Sequence, residues 1–319
     1  MIESSHSVEV RIKGRWVAVP IMVVNGDKLT ARGKWLRIAR VRGEEMRESE
    51  LEDPELYLAA LKNDPDQILK ADIFSFSQKL PATQPRFPYP MEWESVAAIP
   101  LASFKQWWEG LPQETRKNVR RSQKRGVDIR IKEFDEALIE GVRGVNDESP
   151  MRQGTKNAYY RLTSEETRRR YSEFVGRCDF ICAYSGDEMI GFLHLVYRGD
   201  VAAILNLTSK SSHFDKRPAN ALMAKAVEIC EARKISYISY GLYNYGNKRE
   251  SSLREFKIRN GFVEILVPRY FVPLTLWGRL CIKAKFHRGL IGNLPPSVIA
   301  AGVRARTMWY DLKDFKKPV

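Results

Sequence analysis

Metal-binding and disulfide frameworks are what this sequence most plainly lacks. Its four cysteines, Cys178, Cys182, Cys230 and Cys281, form no Cys-x-x-Cys pair. Its four histidines, His6, His194, His213 and His287, are scattered. No His/Cys group has zinc-ligand spacing, so no metal centre is expected and the cysteines read as buried, reduced thiols. No apolar run approaches the ~18–20 residues needed to cross a bilayer. The stretch Met1 to Val10 is polar and has no signal-peptide apolar segment, so the expected location is the cytoplasm. Internal repeats and low-complexity segments are also missing, which excludes solenoid and disordered architectures.

What is present suits a globular protein: 44% hydrophobic, 11% aromatic and 29% charged residues in 319 positions. That length points to two domains or two fused halves. The net charge of +14 is concentrated in two segments. Residues 111–132 hold eight Lys/Arg against two Asp/Glu, and residues 267–319 hold ten against two. Each segment reads either as a solvated basic face or as a contact for a polyanion: tRNA, CoA, a nucleotide-sugar or an anionic membrane.

The first hundred residues read as an α+β half. Val8 to Val24 is rich in β-branched residues and ends at the turn Asn25-Gly26-Asp27. Asp53-Pro54 opens a short helix, Ala71 to Gln78 reads as a strand, and Val96 to Ile99 as another. Helices are expected over 101–110 and from Pro112 to about Arg125, ending at Gly126 before a strand over 127–134. Helices over 135–148 and 164–175 follow. Three strand-like runs, Phe180 to Tyr184, Met189 to Tyr197 and Val201 to Thr208, are joined by Ser185-Gly186-Asp187 and Arg198-Gly199-Asp200, which predicts an antiparallel meander. A helix over 217–234, a strand from Ile235 to Tyr240, a helix stopping at Asn260-Gly261 and a strand from Phe262 to Val267 complete the pattern. The tail predicts helices over 275–287 and 298–313.

Three pieces of this sequence resemble the FemAB-like branch of the GNAT acyltransferase superfamily. They are the basic segment Leu111 to Gly126, the loop Ser149 to Gly154 with Arg152, and the set Pro218 to Met223, Ile238 to Gly241, Phe256-Lys257 and Gly261-Phe262. The resemblance implies an α+β fold of tandem GNAT-like halves with mixed, mostly antiparallel sheets flanked by helices, the N-terminal half degenerate. The expected division is 1–100, 101–270 and a basic helical tail over 271–319. It implies transfer of an acyl group from acyl-CoA (acetyl-CoA) to an amine, on a small molecule or a cell-wall- or lipid-linked acceptor. Two other readings stay open: transfer of an amino acid from aminoacyl-tRNA, and a non-catalytic scaffold binding nucleic acid or an anionic surface.

The candidate residues follow from the chemistry. A helix N-terminus suits a pyrophosphate, which nominates Lys216, Arg217, Ala219, Asn220 and Ala221, although alanines stand where the usual loop has glycine. The transfer needs a base, for which Glu148 before the Arg152 loop is the candidate, and a proton donor for the leaving group; the resemblance implies a tyrosine after the strand from Ile235 to Tyr240 in that role, which nominates Tyr243. Arg152, Gln153, Tyr240 and Lys257 are candidates for substrate binding; Arg152 would clamp an anionic group bidentately. His194 is a second candidate base. The basic helix near 113–125 carries lines of cations that fit a phosphate backbone. The 275–287 segment, with Leu276, Trp277, Leu280 and Phe286 among cations, is a candidate for shallow membrane contact.

Overall fold

The computed structural model describes residues 7–12, 15–48, 50–64, 66, 68–152, 155–244 and 252–289. By internal contacts the chain divides into two units. Among the described residues, one contains 7–94 and 266–289, and the other 95–244 and 252–265. Residues 271–289 pack within the first unit, where Cys281 is buried with Leu36, Ile73 and Phe271 in one apolar cluster.

In the first unit, β1 (Ser7–Ile12) and β2 (Arg15–Pro20) form an antiparallel hairpin. β3 (Met22–Val24) turns through Asn25 and Gly26, both at positive φ, into β4 (Asp27–Arg32), which pairs with β5 (Ile38–Val41). The β4 and β5 strands were not anticipated from the sequence. Leu29, Ala31, Ala39 and Val41 are buried, while Arg32, Arg40 and Arg42 lie exposed on the opposite face, as a period of two demands. Helix α1 (Pro54–Lys62) is capped by Asp53, whose carboxylate accepts from the Glu55 and Leu56 amides. It leads to β6 (Ile73–Ser77), parallel to β5 and buried throughout. The core is aromatic: Phe74, Phe76 and Tyr270 stack in succession. Two carboxylates, Glu44 and Glu94, hold Arg269 at 3.0–3.1 Å.

The second unit continues β7 (Met91–Pro100) from residue 95 and adds α2 (Phe104–Gly110), α3 (Gln113–Lys124), β8 (Val127–Lys132) and α4 (Glu136–Asn146). The two-residue strands β9 (Met151–Arg152) and β10 (Thr155–Lys156) form a small hairpin, followed by α5 (Ser164–Tyr171). The predicted meander is present as β11 (Cys178–Ser185), β12 (Glu188–Arg198) and β13 (Val201–Ser209). Then come α6 (Pro218–Ala232), β14 (Tyr237–Leu242), α7 (Ser252–Arg259) and β15 (Val263–Pro273), which runs into the first unit. The strand order of this unit's sheet is β7-β14-β13-β12-β11-β8. The α6 helix buries Leu222, Met223, Ala226, Val227 and Cys230 against it, while α4 buries Leu138, Val142 and Val145 in a separate cluster with Phe180 and Phe192. Gly261, at φ +84, ends α7 beneath Trp107, whose indole N–H donates to the Asn260 carbonyl at 3.0 Å.

One pairing positions the site. β13 and β14 are parallel and joined only where Val201–Ala203 meets Tyr237–Ser239. Beyond that point each strand loses register with its outer neighbour. On β13, Leu205 falls between the pairs His194–Asn206 and Leu195–Ile204. On β14, Tyr240 and Gly241 fall between the pairs Ser239–Ala98 and Leu242–Val96. Gly241 takes φ +56, a conformation costly for side chains with a Cβ. These bulges bend the two strands and leave an open wedge between them.

The last predicted helix, 298–313, lies outside the described residues. The 275–287 segment forms α8 (Leu276–Lys283), followed by a short 3₁₀ turn at Phe286–Arg288.

Candidate active site

A cavity of about 580 Å³ opens in the wedge. Leu207 and Ser209 of β13 and Tyr240 of β14 form its strand walls, and Ala219 of α6 with Leu253 and Phe256 of α7 form one side. Asn146, Glu148, Met151, Arg152 and Asn157 come from the end of α4 and the β9–β10 hairpin. One half is apolar and the other carries an arginine, a phenol, amides and hydroxyls, the mixture expected of a ligand site.

The hairpin that presents Arg152 is sewn to α4 by Asn157. Its side-chain amide donates to the backbone carbonyls of Asn146 at 2.9 Å and Ser149 at 3.1 Å, and its backbone amide reaches the Pro150 carbonyl at 2.8 Å. Arg152 is thus half-buried in the cavity wall. Burial pulls its guanidinium below the ordinary value, while Tyr240, Tyr171, Tyr159 and Glu148 act in the opposite direction. Gln153, the adjacent candidate, lies outside the described residues.

Glu148 does not have the setting of a base. One carboxylate oxygen accepts from the Ser212 amide at 3.0 Å and hydroxyl at 2.6 Å; the other accepts from the Ser211 amide and, at 2.9 Å, its hydroxyl. Burial raises its pKa, but these bonds outweigh that and hold it at about 2. A carboxylate so held ties the loop after β13 to the end of α4 and has little affinity for a proton.

The two nominated tyrosines part company. Tyr240 lines the cavity, beside Phe262 and Lys257. Tyr243 is buried in the core cluster under the Arg254 guanidinium and is not among the cavity's lining residues. Lys257 is fully buried; its ammonium donates to the Leu242 carbonyl at 2.6 Å and stands 4.8 Å from the Tyr240 ring centroid. Desolvation pulls it down to about 8.

Sequence reasoning missed the cavity floor. Asn146 Oδ1 and Ser209 Oγ are buried and meet no hydrogen-bond partner among the described residues, and the Tyr171 hydroxyl lies against the Asn146 side chain. Asn146 and Ser209 line the cavity directly. Such groups cost roughly 1–3 kcal/mol each while unpaired, so a polar ligand that bonds them is favoured. Nothing in the local sequence around these residues distinguishes them from a helix end and a strand end. His194, the other candidate base, lies deeper: it stacks on Phe180 at 4.3 Å, and desolvation lowers it to about 4.

The nominated pyrophosphate loop is not shaped as a cradle. Arg217, at φ 57, is the N-cap of α6 and gives it no side-chain cap. Asp215, two residues before Arg217, is held by Arg125 at 2.6 Å. Pro218 brings no N–H, and the Asn220 amide turns back to the Arg217 carbonyl at 3.1 Å. The Lys216 ammonium donates to Ser185 Oγ at 2.5 Å. Ala219 faces the cavity, whereas Ala221 lines a different groove with Phe104, Trp108 and Arg120. These residues do not fit a pyrophosphate as the glycine-containing loop would.

Comparison with known proteins agrees with the fold. The Acetyltransferase (GNAT) domain family model matches residues 113–249, which contain the wedge, Arg152 and Tyr240. Among solved structures, FemX is 10% identical with a TM-score of 0.54, over 86% of this chain and 88% of that one. L-PGS from Bacillus licheniformis is 14% identical with a TM-score of 0.52, over 86% and 90%. The C-terminal domain of a protein assigned as a lysylphosphatidylglycerol synthetase in Agrobacterium fabrum is 12% identical, also at 0.52, over 84% and 88%. A sequence search of curated proteins finds no match. Residues 113–249 thus match a GNAT acetyltransferase domain, and the chain shares its fold with FemX and L-PGS.

Proposed function

We propose that the chain is an N-acyltransferase whose wedge cavity takes an activated acyl ester and an amine acceptor, and that the donor is aminoacyl-tRNA. The observation that carries the choice of donor is the start of α6, where a proline, a back-turned amide and two alanines replace a phosphate cradle. The exposed cations of α3, Lys117, Arg120 and Lys124, support a polyanionic carrier. An acyl-CoA donor is the second reading, favoured by the GNAT domain match.

In this reading the amine attacks the acyl carbonyl, an amide bond forms, and the ester C–O bond breaks. Arg152 fixes an anionic group of one substrate. Asn146 and Ser209 accept hydrogen bonds from the amine, orienting its lone pair. Among the described residues lining the cavity the one carboxylate, Glu148, is committed, so the amine's proton leaves to solvent through the open cavity. Tyr240 protonates the departing oxygen and regains a proton from solvent, and the Lys257 ammonium against its ring eases the passing negative charge on the phenol. Acceptors on small molecules and on cell-wall or lipid-linked amines both fit this chemistry.

Thermal unfolding tests the donor. A ligand at 100 times its Kd stabilises by about 2.7 kcal/mol. Charged tRNA should raise Tm above uncharged tRNA, and acetyl-CoA should leave it unchanged. A rise with acetyl-CoA that Arg217→Glu abolishes would favour the second reading. No response to either would sink both.

A further inference from the structure

We propose that the first unit carries a docking surface for an anionic phospholipid bilayer, with a headgroup pocket built from Arg32, Arg40 and Arg42. This is independent of the donor chosen above. The surface begins with α8. Gly278 lies so close to the backbone of Asp72 that an added Cβ would stand 2.0 Å from the Asp72 carbonyl oxygen. That contact, with buried Cys281, fixes which face of α8 turns inward and leaves Leu276, Trp277 and Leu280 outward. Leu276 is 77% exposed and Leu280 59%. Trp35 and Phe286 extend the patch: the Trp35 ring lies 6.1 Å from Trp277 and 5.8 Å from Phe286, both edge-on. Five large apolar side chains exposed together are unusual on a soluble surface and mark an interaction site.

Two features select a bilayer over an apolar protein partner. The first is charge. Arg279 and Lys283 stand exposed on the same helix, and Lys34 beside Trp35. Apolar side chains ringed by cations, two of them tryptophans, fit a headgroup interface rather than a dry protein groove. The second is a cavity of about 560 Å³ at the edge of the patch, walled by Trp35 and Phe286 and lined by Arg32, Arg40 and Arg42, whose three positive charges outnumber the one acidic side chain in the lining, Glu45. The three arginines share the outward face of β4, β5 and the residue after β5, and none makes a side-chain hydrogen bond or close ion pair among the described residues. Arg40 is attracted by Glu44 and Glu94 and repelled by Arg269 and Arg32, while the close contacts of buried Glu44 and half-buried Glu94 go to Arg269. Guanidinium groups so arranged suit the oxygens of a phosphodiester headgroup. None of the described helices is long and apolar enough to span a membrane, so the contact is peripheral.

Flotation of the full chain with vesicles tests this. Binding is expected to vesicles of 70% phosphatidylcholine and 30% phosphatidylglycerol, and much less to pure phosphatidylcholine. Leu276→Asp with Leu280→Asp, and separately Arg32→Glu with Arg42→Glu, should each weaken binding at least about tenfold, at roughly 1 kcal/mol per basic residue for the second pair. Far-UV circular dichroism and Tm should be unchanged, since all four positions are exposed. Equal binding to neutral and anionic vesicles, or full binding by both variants, would overturn the proposal. So would no vesicle binding accompanied by tRNA binding that the arginine variant abolishes, which would make the surface a nucleic-acid contact.

Discussion

The Lys257 ammonium stands 4.8 Å from the centroid of the Tyr240 ring and donates to the Leu242 carbonyl at 2.6 Å. A buried cation held against a phenol lowers the cost of the phenolate, and that phenol lines the wedge cavity. Tyr240→Phe should therefore lower kcat by about 10²-fold with little change in KM. Tyr243→Phe should leave kcat within about twofold, because that ring packs in the core and its hydroxyl is outside the cavity lining. Steady-state kinetics on the two variants side by side separates the roles; equal losses would return Tyr243 to the site.

Arg152→Ala should reduce kcat/KM by about 10²-fold or more without lowering Tm, as expected for a preorganised donor to a substrate anion. Arg152→Lys should recover only part of the loss, since an ammonium lacks the planar two-donor fork. Full activity in Arg152→Lys would show that charge alone is required.

Glu148→Gln should retain activity, because in the proposed mechanism the carboxylate holds the Ser211–Ser212 turn and takes no proton. It should show its effect in acid stability instead. The folded pKa of about 2 lies below the ordinary 4.5, so the ionised form contributes stability that is complete above pH 4.5 and lost as the pH falls towards 2. Urea unfolding of the two proteins should differ most at neutral pH and converge as the pH approaches 2. A large loss of kcat in Glu148→Gln, with an unchanged fold, would restore it as the base.

His194 carries a pH dependence of the same sign. Its folded pKa of about 4 lies below the unfolded 6.5, so between those values the unfolded chain binds a proton that the native state refuses. Stability should be full above pH 6.5 and fall by about 3 kcal/mol as the pH drops to 4. His194→Leu should flatten that part of the profile in urea titrations at pH 7, 5.5 and 4.5. An unaltered slope would place the dependence on other groups.

Much of the second unit was legible in the chain. The Gly-Asp turns after Ser185 and Arg198, with alternating apolar residues between them, specified the meander, because a two-residue turn leaves the strands no other pairing. The apolar stripe Leu222, Met223, Ala226, Val227 and Cys230 specified α6, and Asn260-Gly261 its successor's end. Arg152, Tyr240 and Ala219 were nominated by likeness of motif and do line one cavity. Glu148 was nominated as a base because a carboxylate's hydrogen-bond partners cannot be read from its neighbours in sequence. Its four donors come from residues 63 and 64 positions away.

Sequence by itself determined the local elements: turn residues, caps and periodicity act within a few positions. It also determined which side chains were chemically able to act. Only tertiary structure decided where β13 and β14 part, because that depends on bulges set by partners across the sheet. The same parting decided that Tyr240 faces the cavity while Tyr243, three residues on, is packed in the core. The contact of Gly278 with the Asp72 backbone likewise turned the apolar face of α8 outward, a choice that the amphipathic pattern left open, since either face of a helix can be the buried one until something packs against it.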